Sequence, residues 1–442
     1  MARVHWLQSY LRPFVLMDTE GDEVSHVAVI VPLLVVVLLA ILVRRQLRKP
    51  NYNHIPTAGP SIFPFSYIGA FKFLLDSPRQ LQDGFKKLPS YHTQHGRSAF
   101  KVADFARWNV VVTGAQLIEE LRIAQKDEIA PMNTHDCTGL TTIDHGLLSV
   151  LGTKLTRNLP VVISEMRDEV VVALADVASC SSGWTAVLVA DALTEVVSRV
   201  CNRAIVGPQL CAYTFFYRSG HDLLSFLISK PNTNPYEITN ALLTLNLQAI
   251  PSCTLNLTNA LYHLSACPKP TIQTLRKEIE EALRPDGWTT HALDRMVNLD
   301  SFIKETMRLN TLDALTTRRI AVVPHTFSDG TYIPQGTHLG LACTPTHLDA
   351  SRYTSPTTFD AFRFGSGPRY ELTTAAPEFL AWGLGRGACP GRFFAGAVMK
   401  LVLAHVVLLY DVREEDRQVP KTRWVGARGV PDLNRKVLLK KR

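Results

Sequence analysis

Apolar residues recur at helical intervals over Leu117–Lys126, Ile163–Ala178, Trp184–Val206, Tyr236–Cys267 and Thr271–Leu283. Each of these stretches is expected to be a helix with one face or all faces buried. Shorter strand-like runs occur around Phe100–Val112 and within Arg318–Leu339. In the second, Ser328-Asp329-Gly330 has the composition of a hairpin turn. Helices dominate the middle and a small β region lies near each end, so the pattern predicts a mainly α body with small β regions.

One apolar run differs in kind. Val24–Val43 holds 20 residues without a formal charge, long enough to cross a bilayer as a helix. Asp18, Glu20, Asp22 and Glu23 precede it, and Arg44, Arg45, Arg48 and Lys49 follow. The positive flank assigns the C-terminal side to the cytosol. The run starts late, is long and has no small-residue cleavage site after it, which distinguishes it from a secretory signal. Pro50, Pro56, Pro60 and Pro64 then form a stiff spacer. The expected order is a short luminal N-terminus (1–23), a single-pass transmembrane helix (24–43), a basic, proline-rich hinge (44–64) and a cytosolic domain (65–442). No further run is expected to span a membrane.

Composition changes this picture little. With 442 residues, 46% of them hydrophobic, the chain can bury a large core. Its 8 cysteines lack the spacing of a disulfide framework or a zinc site. The net charge of +8 is spread along the chain without a basic run interleaved with aromatics, which argues against nucleic acid. His145, His263 and His347 have no partner at metal-ligand spacing and read as structural.

Chemistry gathers at Trp382–Ala395, WGLGRGACPGRFFA. Gly383, Gly385, Gly387 and Gly391 leave little bulk around Cys389, so a large group can approach closely. A lone cysteine is most often a small core hydrophobe. A glycine-rich loop with N–H groups aimed at the sulfur also suits a thiolate ligand to haem iron. Glu305 and Arg308 in FIKETMRLN share a helix face at i, i+3, a spacing that on a surface contributes little. Arg363 in FDAFRF stands between aromatics and could fork onto Glu305 as a third, buried member.

Together, WGLGRGACPGRFFA, ETMR and FDAFRF, in this order and near these separations, resemble the haem loop, the E-x-x-R helix and the intervening arginine segment of a cytochrome P450, in the style of fungal microsomal members. The stretch from Leu242 to Glu280 resembles the long helix that crosses above the haem, and the anchor and hinge match as well. The resemblance implies a P450-like fold, haem b with Cys389 as axial ligand, and an ion-pair network of Glu305, Arg308 and Arg363 that holds the loop. It implies that Trp382 lies against the haem, and that Gly383 and Gly391 shape the haem-binding loop. It also implies that Arg318 or Arg319 meets a haem propionate; strand alternation lets one of them face inward. Ser252 is the hydroxyl available in the overhead helix for proton handling, and Ala249–Thr254 and Thr311–Thr317 would line the substrate side. The implied partners are a lipophilic substrate, the endoplasmic reticulum membrane and an NADPH-cytochrome P450 reductase, for which Arg386, Arg392 and Lys400 are candidate contacts. The implied activity is monooxygenation, in fungal secondary metabolism with terpenoids as one substrate class.

This chain also departs from the family's pattern. Gly387 stands where a histidine or arginine is usual, and the early helix carries no W-x-x-x-R, which leaves Lys154 and Arg157 as its nearest cations. Pro251 should kink the overhead helix. Ala212–Pro235 is short for the helices that normally roof the substrate pocket. That shortness admits a second reading: a membrane-anchored haem protein with impaired turnover, or a truncated gene product.

Overall fold

The structure is a computed structural model that describes residues 51–62, 64–95, 98–105, 107–132, 145–178, 183–207, 222–229, 234–365, 371–414 and 418–442. The expected transmembrane run at 24–43 lies outside the described residues. One compact unit spans Tyr52–Arg442. The later part of the expected hinge is already packed into it. Ile55 and Ala58 are buried, Ala58 N–H donates to Lys101 O, and Lys101 N–H donates to Pro56 O. Extended, proline-rich backbone here finds its hydrogen bonds on the edge of a sheet rather than in water.

Helices make most of the unit. In chain order they are α1 (Ser66–His95), α2 (Ala115–Ile123), α3 (His145–Val177), α4 (Val189–Ile205), α5 (Leu223–Ile228) and α6 (Pro235–Ala266), then α7 (Lys269–Leu283), α8 (Thr290–Asp294), α9 (Val297–Leu309), α10 (Cys343–His347) and α11 (Arg392–Leu409). The main core is built where α3, α4, α6, α7, α9 and α11 meet. α11 is apolar nearly all round and is buried from Gly396 to Val407, as such a helix must be. It is long and apolar enough to cross a membrane by length and composition, but here it is the central core helix. α6 starts where the Asn234 side chain accepts from Tyr236 N–H and Pro235 fills the first turn, a start that both residue types favour. Its C-terminal half, from Cys253 to Ser265, is mostly buried, whereas Tyr236, Leu243 and Leu247 in its first half are exposed.

The strands regroup the two expected β regions. β1 (Ala99–Ala103), β2 (Trp108–Val112), β3 (Ile129–Pro131), β5 (Leu315–Ala321) and β8 (His338–Ala342) form one five-stranded sheet in the order β1-β2-β8-β5-β3, with β2 and β8 parallel. Alternate residues serve its two faces: Val110 and Val112 enter one apolar cluster, and Val111 and Phe100 another. The expected turn Ser328-Asp329-Gly330 joins the short strands β6 (His325–Thr326) and β7 (Tyr332–Ile333), with Gly330 at φ 78°.

One helix expectation needs correction. Trp184–Val206 is not helical throughout: Thr185–Leu188 forms β4, which pairs with β12 (Lys436–Lys441) and, across β12, joins β9 (Tyr410–Arg413). A β-rich tetrapeptide adjacent to a helix extends the apolar pattern, but its partner lies near the far end of the chain. β10 (Arg423–Val425) and β11 (Arg428–Val430) complete the fold as a hairpin.

Candidate functional site

The cysteine loop runs from Leu380 to the start of α11. A single 3-10 turn, Gly385–Gly387, precedes Cys389. Gly383 and Gly385 have φ of 73° and 62°, a left-handed geometry that glycine adopts without cost. Gly385 also allows close packing on α2, since a Cβ there would stand 2.5 Å from Arg122 O. The loop closes on itself where Cys389 N–H donates to Trp382 O at 2.7 Å. Burial pushes the Cys389 thiol up. The backbone N–H of Gly391 pulls it down, the nearby Cys253 thiol raises it, and the Arg392 cation and backbone N–H lower it. A thiol in this balance stays protonated on its own and ionises when a metal takes the sulfur.

The loop is held from α9. Glu305 and Arg308 have fully buried side chains. Arg308 grips the carboxylate with two donors, Nε at 2.7 Å and Nη2 at 2.8 Å, and Arg363 Nε adds a third at 2.9 Å. Arg308 Nη1 donates to the carbonyls of His347 (2.6 Å) and Pro356 (2.7 Å), and Arg363 donates to those of Thr354 and Thr358. The structure therefore brings Glu305, Arg308 and Arg363 together. It adds a residue that the sequence reading treated only as structural. His347, at the end of α10, accepts at Nε2 from Leu380 N–H (2.8 Å), so its Nδ1–H donates to Arg308 O (3.2 Å). One imidazole thus links the last turn of α9 to the backbone two residues ahead of Trp382. A lone histidine carries no sequence signal for this, because both its partners are backbone atoms. A second tie joins α9 to α11: Lys400 lies 2.7 Å from Asp300.

Other expected site residues fall out as follows. Trp382 is buried, and its indole Nε1–H donates to Leu372 O at 2.6 Å, which fixes the ring. Of the two strand arginines, Arg319 is buried at 4% exposure and Arg318 is half-exposed. The Ser252 hydroxyl turns back on its own helix and donates to Gln248 O (2.7 Å) and Ala249 O (3.1 Å). Among the described residues, the buried Thr254 hydroxyl beside it has no hydrogen-bond partner, and neither does that of Thr317. Lys154 packs over the Phe226 ring and Arg157 is exposed. Lys400, expected as a docking cation, is instead buried in its pair with Asp300. Arg392 is spent on Cys389 O and Thr373 O, and Arg386 reaches Gln125 at the surface.

These residues fit a large, anionic, metal-centred group. Beside the Cys389 sulfur, a Cβ at Gly391 would meet nothing within 4 Å. Arg319 has no carboxylate bonded to it among the described residues and donates only to the carbonyls of Arg318 and Leu384. A buried cation with no counter-charge calls for an anion.

The comparisons agree with this geometry. The sequence model of the cytochrome P450 family matches residues 214–438. Cytochrome P450 monooxygenase 151 of Postia placenta is 31% identical over 475 residues, covering 88% of this chain and 94% of its own. The chain belongs to the cytochrome P450 family. Cytochrome P450 monooxygenase CYP512U6 of Ganoderma lucidum is 28% identical over 92% of this P450 and 97% of its own length. Cytochrome P450 monooxygenase paxP of Penicillium paxilli is 33% identical over 51% of this P450 and 46% of its own. The alignment with monooxygenase 151 runs over more positions than the 442 residues of this P450 while using only part of it. That relative therefore carries stretches without a counterpart here.

Proposed function

We propose that this P450 is a haem-thiolate monooxygenase acting on a lipophilic substrate, with two electrons supplied from NADPH through a flavoprotein reductase. The observation that carries the reading is the Cys389 loop itself, closed by its own hydrogen bond, anchored through His347 to the Glu305–Arg308–Arg363 network, and open beside the sulfur. Cys389 would hold haem iron, and Trp382, Gly383, Gly391 and Arg319 would seat the ring and its carboxylates. Haem held there would supply the activation of dioxygen with two electrons and two protons, one oxygen atom going into a C–H bond and the other leaving as water. The chain's own part is to exclude water and deliver protons. The Ser252 and Thr254 hydroxyls are the groups suited to proton handling; Thr254 has its hydrogen bond still to give and Ser252 would have to rotate off Gln248 O.

The test is the carbon monoxide difference spectrum of the reduced full chain in microsomes. A thiolate-type band in the wild type that vanishes in Cys389→Ala is expected. A wild type without that band would sink the proposal.

The membrane assignment also belongs to this reading. Val24–Val43 would anchor the protein in the endoplasmic reticulum with the compact unit in the cytosol. Ile62 and Phe65 just before α1 and Ile68, Phe71 and Leu75 in its first turns support it: they are exposed by half or more and recur every three or four residues, an apolar stripe of the kind that lies on lipid. Fungal secondary metabolism, with terpenoids as one substrate class, is supported by the fungal origin of the relatives.

Impaired turnover remains the second reading, favoured by one feature. Tyr236, Leu243 and Leu247 leave the first half of α6 uncovered, where water could reach the oxygen-binding side. NADPH oxidation in the presence of reductase and lipophilic compounds separates the two: matched product formation supports the monooxygenase, and hydrogen peroxide without product supports the second reading.

A further inference from the structure

Gly387 is two residues ahead of Cys389, and it is not simply an empty position. A Cβ built on it would stand 2.3 Å from Nη1, 2.4 Å from Nη2 and 2.7 Å from Cζ of Arg319. No real Cβ tolerates those distances, and the obstacle is the far end of the buried Arg319 side chain, so a side chain at 387 and the guanidinium in its present place exclude each other. The guanidinium of β5 therefore fills the volume that a side chain at 387 would occupy.

The strand is shaped to put it there. β5 pairs with β8 as Thr316↔Leu341 and then as Arg319↔Leu339, so three steps on β5 match two on β8. That is a bulge, and Thr317 inside it has φ 51°, left-handed for a β-branched residue. Without the extra residue, Arg318 would share the face of Thr316; with it, Arg319 does. The bulge thus selects Arg319 and points it at the cysteine loop, where Nη1 donates to Arg318 O at 3.1 Å and Nη2 to Leu384 O at 3.4 Å. Carbonyls satisfy hydrogen bonding but do not neutralise a buried charge.

We infer that Gly387 and Arg319 are an exchanged pair, in which the loop gives up its side chain at 387 so that a single strand arginine becomes the fixed cation beside Cys389 for a carboxylate of the prosthetic group. This rests on the haem reading above. Two consequences follow from the sterics. A bulky or cationic side chain placed at 387 expels Arg319 and weakens haem retention. Removing Arg319 makes room for such a side chain, so the two changes compensate.

The experiment measures the rate at which the haem-loaded full chain gives up haem to excess apomyoglobin. Gly387→Arg and Arg319→Ala alone are each expected to speed release on the order of tenfold, as loss of a charge-assisted hydrogen bond implies. The double variant Gly387→Arg/Arg319→Ala is expected to return most of the way to the wild-type rate. Wild-type retention in Gly387→Arg, or a double variant no better than the singles, overturns the exchange. The unmutated chain reconstituted with haem dimethyl ester supplies a version independent of variant folding. Faster release than with haem is expected, and equal rates overturn the inference. Absence of the thiolate band in the wild type would instead defeat the haem reading itself.

Discussion

Glu305 accepts from two arginines and from Asp360 N–H in a site that no water reaches. Replacing it by glutamine keeps the shape but leaves the buried Arg308 guanidinium without a counter-charge. A loss of about 3–5 kcal/mol is expected, read as a shift in the urea midpoint at unchanged slope, together with loss of the thiolate band as the Leu380–Cys389 backbone loosens. An unshifted midpoint would show that the network does not hold the fold. Glu119 and Arg122 have the same i, i+3 spacing, but their side chains are 52% and 42% exposed. Glu119→Gln should leave the midpoint where it is. The two pairs look alike in sequence, and burial alone separates them. That is why spacing could propose the Glu305 network but needed the aromatic-flanked Arg363 to favour a buried one. For His347 no such hint exists, because its partners are a carbonyl and an N–H that belong to no residue type.

At the scale of elements, α1 gives the clearest test of the membrane reading. Its stripe is not core, since Ala70 and Phe73 on the opposite side are the residues that turn inward. In full-length protein carrying Phe65→Ser, Ile68→Ser and Phe71→Ser, salt- and carbonate-resistant association through Val24–Val43 is expected to persist. In a chain lacking residues 1–49, the same three changes should abolish co-sedimentation with phosphatidylcholine vesicles that the unsubstituted truncation retains. If the truncated chain never sediments with vesicles, the stripe is not a lipid contact. Elements also mark how far local pattern carries. α6 and α7 came within two residues of their expected ends because their apolar periodicity is unbroken. Thr185–Leu188 was lost inside a helix because its pairing with Lys436–Leu439 is set by distant residues. The choice between Arg318 and Arg319 was open for the same reason: a bulge in β5 is defined against β8, not by its own sequence.

At the scale of the whole molecule, three buried histidines among the described residues tie stability to pH. Burial is the largest cause in each. His263 is held down to about 4, with Asn310 and Glu305 acting to raise it. His347 is held down to about 3; the Arg308 carbonyl raises it and the Arg308 and Lys304 cations lower it further. His405, stacked on Trp288, is held down to about 4, with the Leu401 carbonyl raising it and Arg167 lowering it. In the unfolded chain each takes a proton near pH 6.5. Between that value and about 3–4 the unfolded state binds more protons than the folded one, so stability is fully present above pH 6.5 and falls as the pH drops. Each histidine contributes a slope of up to about 1.4 kcal/mol per pH unit. Glu278 and Asp313, raised by burial, hold protons longer in the folded state and oppose the fall. The urea midpoint of the full chain, followed by far-ultraviolet circular dichroism, should therefore drop steadily from pH 7 to pH 5. His405→Gln, remote from the Cys389 loop, should flatten that slope by about a third, whereas an unchanged slope would mean that acid acts elsewhere, through the cysteine ligand or the carboxylates.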